Sequence, residues 1–157
     1  MNNRPAWRSA FRTAVFVHAA IVAAIFLYAV IIEILKAMLR PLPRLAPETD
    51  VRLLRYVFYG LAIVAVVVIR RVNRGAALAR PDEPYRDFLQ RLSRTAIISS
   101  TLCEAPAGLG LVLMLLTGSV RDFYYLLFVS LFLAFMYFPR TRAWEEISRR
   151  QYPQAEP

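Results

Sequence analysis

The chain has 157 residues, of which 58% are hydrophobic, and it carries a net charge of +9. Ordinary soluble proteins contain about 45–50% apolar residues, and here the excess is gathered into four long segments. The length predicts one domain. The single cysteine, Cys103, excludes an internal disulfide, and no His, Cys or acidic spacing matches a metal-binding motif.

The four apolar segments predict an all-helical, polytopic membrane protein that forms a single integral membrane domain over residues 1–157. A bilayer core of about 30 Å requires about 20 helical residues. The predicted spans cover residues 13–35, 53–69, 96–116 and 123–138. The second span is short and requires Arg55 to snorkel at its start, and the fourth requires either local thinning of the bilayer or the use of its flanking groups.

The first segment distinguishes a membrane helix from a helix of a soluble bundle. Its only strongly polar side chain before Glu33 is His18, whereas a helix on the surface of a soluble bundle would show a polar stripe. Basic residues precede it, as in a signal peptide, but the apolar run exceeds the ~7–15 residues of a signal sequence. We therefore expect a retained membrane helix. Glu33 and Lys36, at i and i+3, predict an interfacial ion pair.

The basic residues predict the topology. With four spans, fourteen Lys and Arg residues fall on the side of the two termini and six on the other side. The positive-inside rule then places both termini in the cytoplasm of a bacterial inner membrane. The proline-rich loop 39–50 and the short loop 117–122 lie outside, and Gly118 is well placed to end the third helix.

An amphipathic cytoplasmic helix is predicted between the second and third spans. Tyr85, Phe88, Leu89 and Leu92 recur at i, i+3, i+4 and i+7, which makes one apolar stripe. The helix either lies on the lipid headgroups and leads into the third span, which we favour, or binds a partner protein.

The stretch "SSTLCEAPAGLG" places an acid, Glu104, near the middle of the third span. A charge there costs at least ~2.5 kcal/mol, so Glu104 is expected to be protonated or paired, and to avoid the lipid. Ser100, Glu104 and Gly108 recur at i+4, and small residues at that spacing let helices approach closely. Pro106 lacks an N–H and leaves a carbonyl acceptor one turn away.

The candidate intramembrane polar site comprises Glu104, Ser100, Cys103, Pro106 and His18. His18 lies in the first span, which runs in the same direction as the third. A His18–Glu104 pair would form a proton relay. The alternative, which we favour, is a neutral imidazole that is hydrogen-bonded to a serine or a backbone carbonyl.

One part of the chain resembles a known family. "RLSRTAIISSTLCEAPAGLGLVLMLLTG" resembles the carboxylate helix of the proteolipid c subunit of rotary ATP synthases, and the preceding "ALARPDEPYRDFL" resembles its cytoplasmic loop. Over residues 50–118 this resemblance implies that Glu104 is the proton-carrying acid and that Arg80 and Pro81 belong to the loop. The c subunit's first helix has a row of glycines, whereas the second span here has only Gly60, so we expect no rotor ring.

The whole chain, with "YFPRTRAWEE" after the last span, resembles small uncharacterised four-span bacterial membrane proteins, a resemblance that implies no activity. We expect a non-enzymatic subunit or accessory factor that packs through the Glu104 face. The alternative is a proton or ion translocation component with Glu104 as its ion-carrying carboxylate.

The sequence shows no nucleophile–base pair or phosphate-binding loop, so no enzyme and no cofactor are expected. The expected partners are the lipid bilayer, anionic headgroups at the cytoplasmic face, and a second copy of the chain or another membrane subunit. Because the charges flank the apolar segments, a nucleic acid is not expected.

Overall fold

The computed structural model describes residues 4–38, 48–76 and 83–151, and these are almost entirely helical. The helices are α1 (Arg4–Met38), α2 (Glu48–Ala76), α3 (Tyr85–Thr117), α4 (Val120–Met136) and α5 (Thr141–Gln151). This confirms the prediction of an all-helical fold. Most of the loop 39–50 lies outside the described residues, as do Arg80 and Pro81.

Three of the helices are long and apolar enough to cross a membrane. The qualifying stretches are Trp7–Met38, Val51–Gly75 and Tyr85–Thr117. These helices extend beyond the first three predicted spans, because the charged residues that flank each apolar segment continue the same helix. α4 has 17 residues, or about 25 Å, and is shorter than the other three.

α3 is the central helix of the bundle, because it packs against α1, α2 and α4. The largest group of buried apolar side chains joins these helices and includes Ile25, Ile69, Cys103, Phe123 and Leu133. A smaller group joins α2, α3 and α4 through Ala62, Leu113 and Leu126. The helix that carries Glu104 therefore contacts each of the other long helices.

The turn between α3 and α4 forms as predicted. Gly118 adopts a left-handed conformation with φ 70°, and its N–H donates to the carbonyl of Met114 at 2.7 Å. A glycine is favoured there because a Cβ atom is strained at positive φ. Only Gly118 and Ser119 separate the two helices, so α3 and α4 form a tight antiparallel hairpin.

α3 and α4 approach each other closely at Gly110. A Cβ atom at this position would lie 3.0 Å from the Leu126 Cβ and 3.2 Å from the Phe123 carbonyl oxygen. Gly108 was the expected contact glycine, but a Cβ atom there would meet nothing within 4 Å. The expectation for Gly108 was wrong because periodicity shows which residues share a face but not where the neighbouring helix crosses it.

The amphipathic segment is not a separate helix, because it forms the first turns of α3. Its side chains Phe88, Leu89 and Leu92 are buried within the chain, in a cluster with Trp7 of α1 and Trp144 of α5. The segment leads into the third apolar helix as expected, but the expectations that its stripe covers headgroups or binds a partner were wrong. Trp144 comes from α5, a helix that was not predicted, since it follows Pro139 and is mostly polar.

We expect Gly110→Ala to lower the free energy of unfolding by about 1–3 kcal/mol, because the new methyl group would clash with Leu126 and with the α4 backbone. Gly108→Ala is the matched control and should be neutral or slightly stabilising, since alanine favours helix over glycine. Unfolding in detergent, followed by circular dichroism, measures both. Equal effects of the two substitutions would contradict the close approach at Gly110.

Candidate functional site

Polar groups along α3 bond to all three of its neighbouring helices. They are Ser99, Ser100, Glu104 and the backbone N–H of Ala107. Together with their partners we call them the polar ladder. Because α3 is central, each contact fixes the position of another helix against it.

The first contact joins the end of α2 to α3. The Asn73 side-chain amide donates to the hydroxyl of Ser99 at 2.8 Å and to the carbonyl of Ile69 at 2.9 Å. Sequence reasoning missed Asn73, which lies just after two arginines and resembles an interfacial residue. Its position four residues after Ile69, on the buried face of α2, was the available signal.

His18 joins α1 to both α3 and α4. Its Nδ1 lies 2.7 Å from the hydroxyl of Ser100, its Nε2 lies 3.0 Å from the carbonyl of Ala134, and the residue is completely buried. The helical partner of the Ala134 carbonyl would be the N–H of Phe138, but α4 ends at Met136. His18 thus satisfies one of the carbonyls left open at a helix C-terminus. The expectation that His18 bonds to a serine or to a backbone carbonyl is confirmed, since it bonds to both, while its neutral state stays a prediction.

The protonation of the His18 ring and the direction in which the Ser100 hydroxyl donates depend on each other. Since a carbonyl can only accept, Nε2 donates to Ala134. The Ser100 hydroxyl lies 2.8 Å from the carbonyl of Ala96 as well, but it has one proton to donate. If that proton goes to Ala96, Nδ1 must also carry a proton and the ring is an imidazolium. If the ring is neutral, the hydroxyl donates to Nδ1 instead.

Glu104 bonds to Tyr28 of α1. The Tyr28 hydroxyl donates to the carboxylate at 2.5 Å, and Glu104 is half-buried. No hydrogen bond joins His18 and Glu104 in the described part of the chain, so the two residues do not form a direct pair, and a relay that involves both stays a prediction. Sequence reasoning missed Tyr28 because a tyrosine inside an apolar run reads as a hydrophobic residue. Its place near the middle of the first span was the available signal.

Cys103 and Pro106 are buried in the same face of α3. Cys103 is a free thiol with no exposed surface, packed in the apolar core. Next to Pro106, the N–H of Ala107 donates to the hydroxyl of Ser130 on α4 at 2.7 Å. Helix interiors lose a backbone hydrogen bond at proline, and here a side chain from the neighbouring helix takes up the following N–H. The two residues therefore serve packing.

A second polar group lies where α2 meets the first turn of α4. The Arg55 guanidinium contacts the carboxylate of Asp122 at 2.8 Å and 2.9 Å, and the Tyr59 hydroxyl donates to the same carboxylate at 3.3 Å. Asp122 is only 2% exposed. The expectation that Arg55 snorkels was wrong: the guanidinium is paired within the chain. Because Arg55 and Asp122 are 67 residues apart, the sequence pattern does not show that they form an ion pair.

The predicted pair of Glu33 and Lys36 is confirmed, with 2.9 Å between the ammonium and the carboxylate. The Tyr124 hydroxyl also donates to Glu33, which connects the end of α1 to α4. All the acids and bases named so far within the bundle therefore have partners in the same chain.

Comparison with family models, with curated proteins and with solved structures found no match to this chain. The resemblance to the c subunit of rotary ATP synthases therefore stays a prediction. In the described part of the chain, no three His, Cys, Asp or Glu side chains lie close enough together to hold a metal ion.

We expect Glu104→Gln to retain the fold, because the amide oxygen can still accept from Tyr28. Glu104→Lys should be strongly destabilised, since it places an ammonium without a charged partner at a half-buried position near the middle of an apolar helix. Tyr28→Phe should cost about 1 kcal/mol, and its effect should vanish in a Glu104→Ala background. Tyr125→Phe, at an exposed tyrosine, is the control. Equal stability of the wild type and Glu104→Lys would show that the position is open to water.

Proposed function

We propose that the chain is a four-span integral protein of the bacterial inner membrane that acts as a non-enzymatic subunit or accessory factor of a membrane complex. The hydrogen bond between Tyr28 and Glu104 carries this proposal. The acid at the centre of α3 is used to join two helices of the same chain. A hydrogen bond of this kind stabilises helix packing without any transport or catalytic step.

The fourth span in this proposal is α4. It returns directly along α3 after a two-residue turn, and its Ser130 and Ala134 bond to groups on α3 and α1. A helix of about 25 Å is a few ångströms short of the bilayer core, and such a mismatch costs fractions of a kcal/mol per ångström. A membrane that contains the apolar part of α3 would therefore also contain α4.

The distribution of basic residues supports cytoplasmic termini. The proposed cytoplasmic side holds the start of α1, the end of α2, the amphipathic first turns of α3, and α5. The tryptophans Trp7 and Trp144 are buried together there. The opposite side contains the turn at Gly118 and the pair of Arg55 with Asp122.

The outer surface of the bundle supports a role in assembly. Four aromatic residues on α4 are each more than half exposed and recur at i, i+3, i+7 and i+10: Tyr125, Phe128, Phe132 and Phe135. This spacing puts them on one face of the helix. Lipid covers such a face in a single copy, and a neighbouring subunit covers it in a complex.

A second candidate function is proton or ion translocation through Glu104. Two observations favour it: Glu104 is only half-buried, and His18 has a bonded neighbour at each ring nitrogen, which allows it to gain or lose a proton with a small rearrangement. The two groups bond to different partners, so a transfer between them would require movement.

The proposed topology predicts that Ser119→Cys, in a Cys103→Ala background, is modified by a membrane-impermeant maleimide from outside the cell. Arg142→Cys, exposed on α5, should react only after the membrane is permeabilised. Labelling of intact and permeabilised cells is compared by gel shift. Reaction of the cysteine at 119 only from the cytoplasmic side would overturn the topology.

The packing role predicts that the purified protein in liposomes shows no proton flux above that of protein-free liposomes, and that Glu104→Gln changes neither flux nor assembly. A pH-sensitive dye inside the vesicles measures the flux. A carboxyl-reactive carbodiimide should not modify Glu104 in preference to Glu33, the more exposed acid on α1. A flux that Glu104→Gln abolishes would instead establish the translocation function.

A further inference from the structure

A groove runs between the start of α1 and the first half of α3. Ser9 and Ala10 form its α1 side. Its α3 side is formed by Arg86, Leu89, Gln90, Ser93, Arg94, Ile97 and Ile98. The groove has a volume of about 780 Å³, which falls within the range of 300–1,000 Å³ that is typical of ligand sites.

The lining of the groove changes from charged to apolar along α3. Arg86 and Arg94 lie about 12 Å apart along the helix axis, and Ile97 and Ile98 follow about 5 Å further on. Both arginines are exposed, and no hydrogen bond or ion pair joins either of them to another residue in the described part of the chain. The groove therefore offers two cations next to an apolar floor.

This order matches the position of the groove in the proposed membrane. Arg94 lies two residues before the apolar run that begins at Ala96, which is the level of the lipid phosphates. Ile97 and Ile98 lie one turn deeper, at the level of the first acyl carbons. A phospholipid presents a phosphate and an acyl chain at the same two depths, and basic pockets between helices are known to bind anionic headgroups.

The charge of the groove selects among phospholipids. Its lining includes two arginines and no acidic side chain. A zwitterionic headgroup carries a cation that would find no partner there and would be repelled by the arginines. Phosphatidylglycerol has a net negative charge and no cationic group, and Gln90 and the serines can hydrogen-bond its hydroxyls.

We propose that the groove between α1 and α3 is a specific site for one anionic phospholipid, with its phosphate held by Arg94, the positive charge of Arg86 on the headgroup side, and an acyl chain on Ile97 and Ile98. This inference rests on the proposed membrane embedding, but it is independent of the role of Glu104. Its failure and that of the embedding are distinguishable, because a chain that is not embedded would be released from membranes by alkaline carbonate.

The test uses the purified full chain in mild detergent, given equal amounts of phosphatidylglycerol and phosphatidylcholine with the same acyl chains. Native mass spectrometry counts the lipid retained on each chain. The wild type should retain one phosphatidylglycerol in preference to phosphatidylcholine. Arg86→Gln/Arg94→Gln should reduce that preference by at least about tenfold, whereas Arg86→Lys/Arg94→Lys should keep most of it.

The matched control is Arg70→Gln/Arg71→Gln. It removes the same charge from exposed positions of α2, at the same end of the bundle but outside the groove. It should leave the lipid preference unchanged, and an equal loss would show diffuse surface attraction and overturn the site. The proposal also fails if the wild type has no preference, or if soluble glycerol phosphate displaces the lipid at equal concentration, since a free phosphate would then be the ligand.

Discussion

The bundle depends on the requirement that polar groups inside apolar helices find partners within the protein. An unpaired polar group in an apolar environment costs several kcal/mol, and three of the six buried polar residues in the described part of the chain lie on the central helix. The polar ladder meets the requirement by bonding α3 to its three neighbours at successive levels. Apolar packing alone would allow each neighbouring helix to rotate or to slide along α3. Each of these hydrogen bonds holds one neighbouring helix at one rotation against α3.

Two features of α3 that would destabilise an isolated helix are compensated by α4. Pro106 interrupts the backbone hydrogen bonding, and Ser130 accepts the N–H of Ala107 that follows it. Gly110 lowers helix propensity but allows the backbone of α4 to approach closely. In return, His18 satisfies a carbonyl at the C-terminus of α4. The hairpin and α1 therefore stabilise one another, so that neither is expected to pack correctly alone.

The two ends of the bundle are held by different interactions. At the α3–α4 turn, the buried Asp122 is paired with Arg55, and α4 is tied to α1 through Tyr124 and Glu33. At the end that holds the termini, aromatic packing around Trp7 and Trp144 joins α1, α3 and α5. That packing covers one side of the start of α3. The other side remains open and forms the groove proposed to hold a lipid.

The sequence by itself determined the four apolar helices, the glycine that ends α3 and the local ion pair of Glu33 with Lys36. These features depend on residues that are close in the chain, and helical periodicity describes such residues well. That Glu104 and His18 each bond to a partner could also be predicted, because a polar group in an apolar helix requires one.

Only the tertiary structure decided which partners those are. Tyr28 is 76 residues from Glu104, Ala134 is 116 residues from His18, and Arg55 is 67 residues from Asp122. Each pairing depends on the rotation and crossing of two helices, which are set by the sum of many side-chain contacts. A sequence pattern shows which residues share a face of a helix, but not the sum of the contacts between two helices. It could therefore identify the polar groups that need partners, but not the partners themselves.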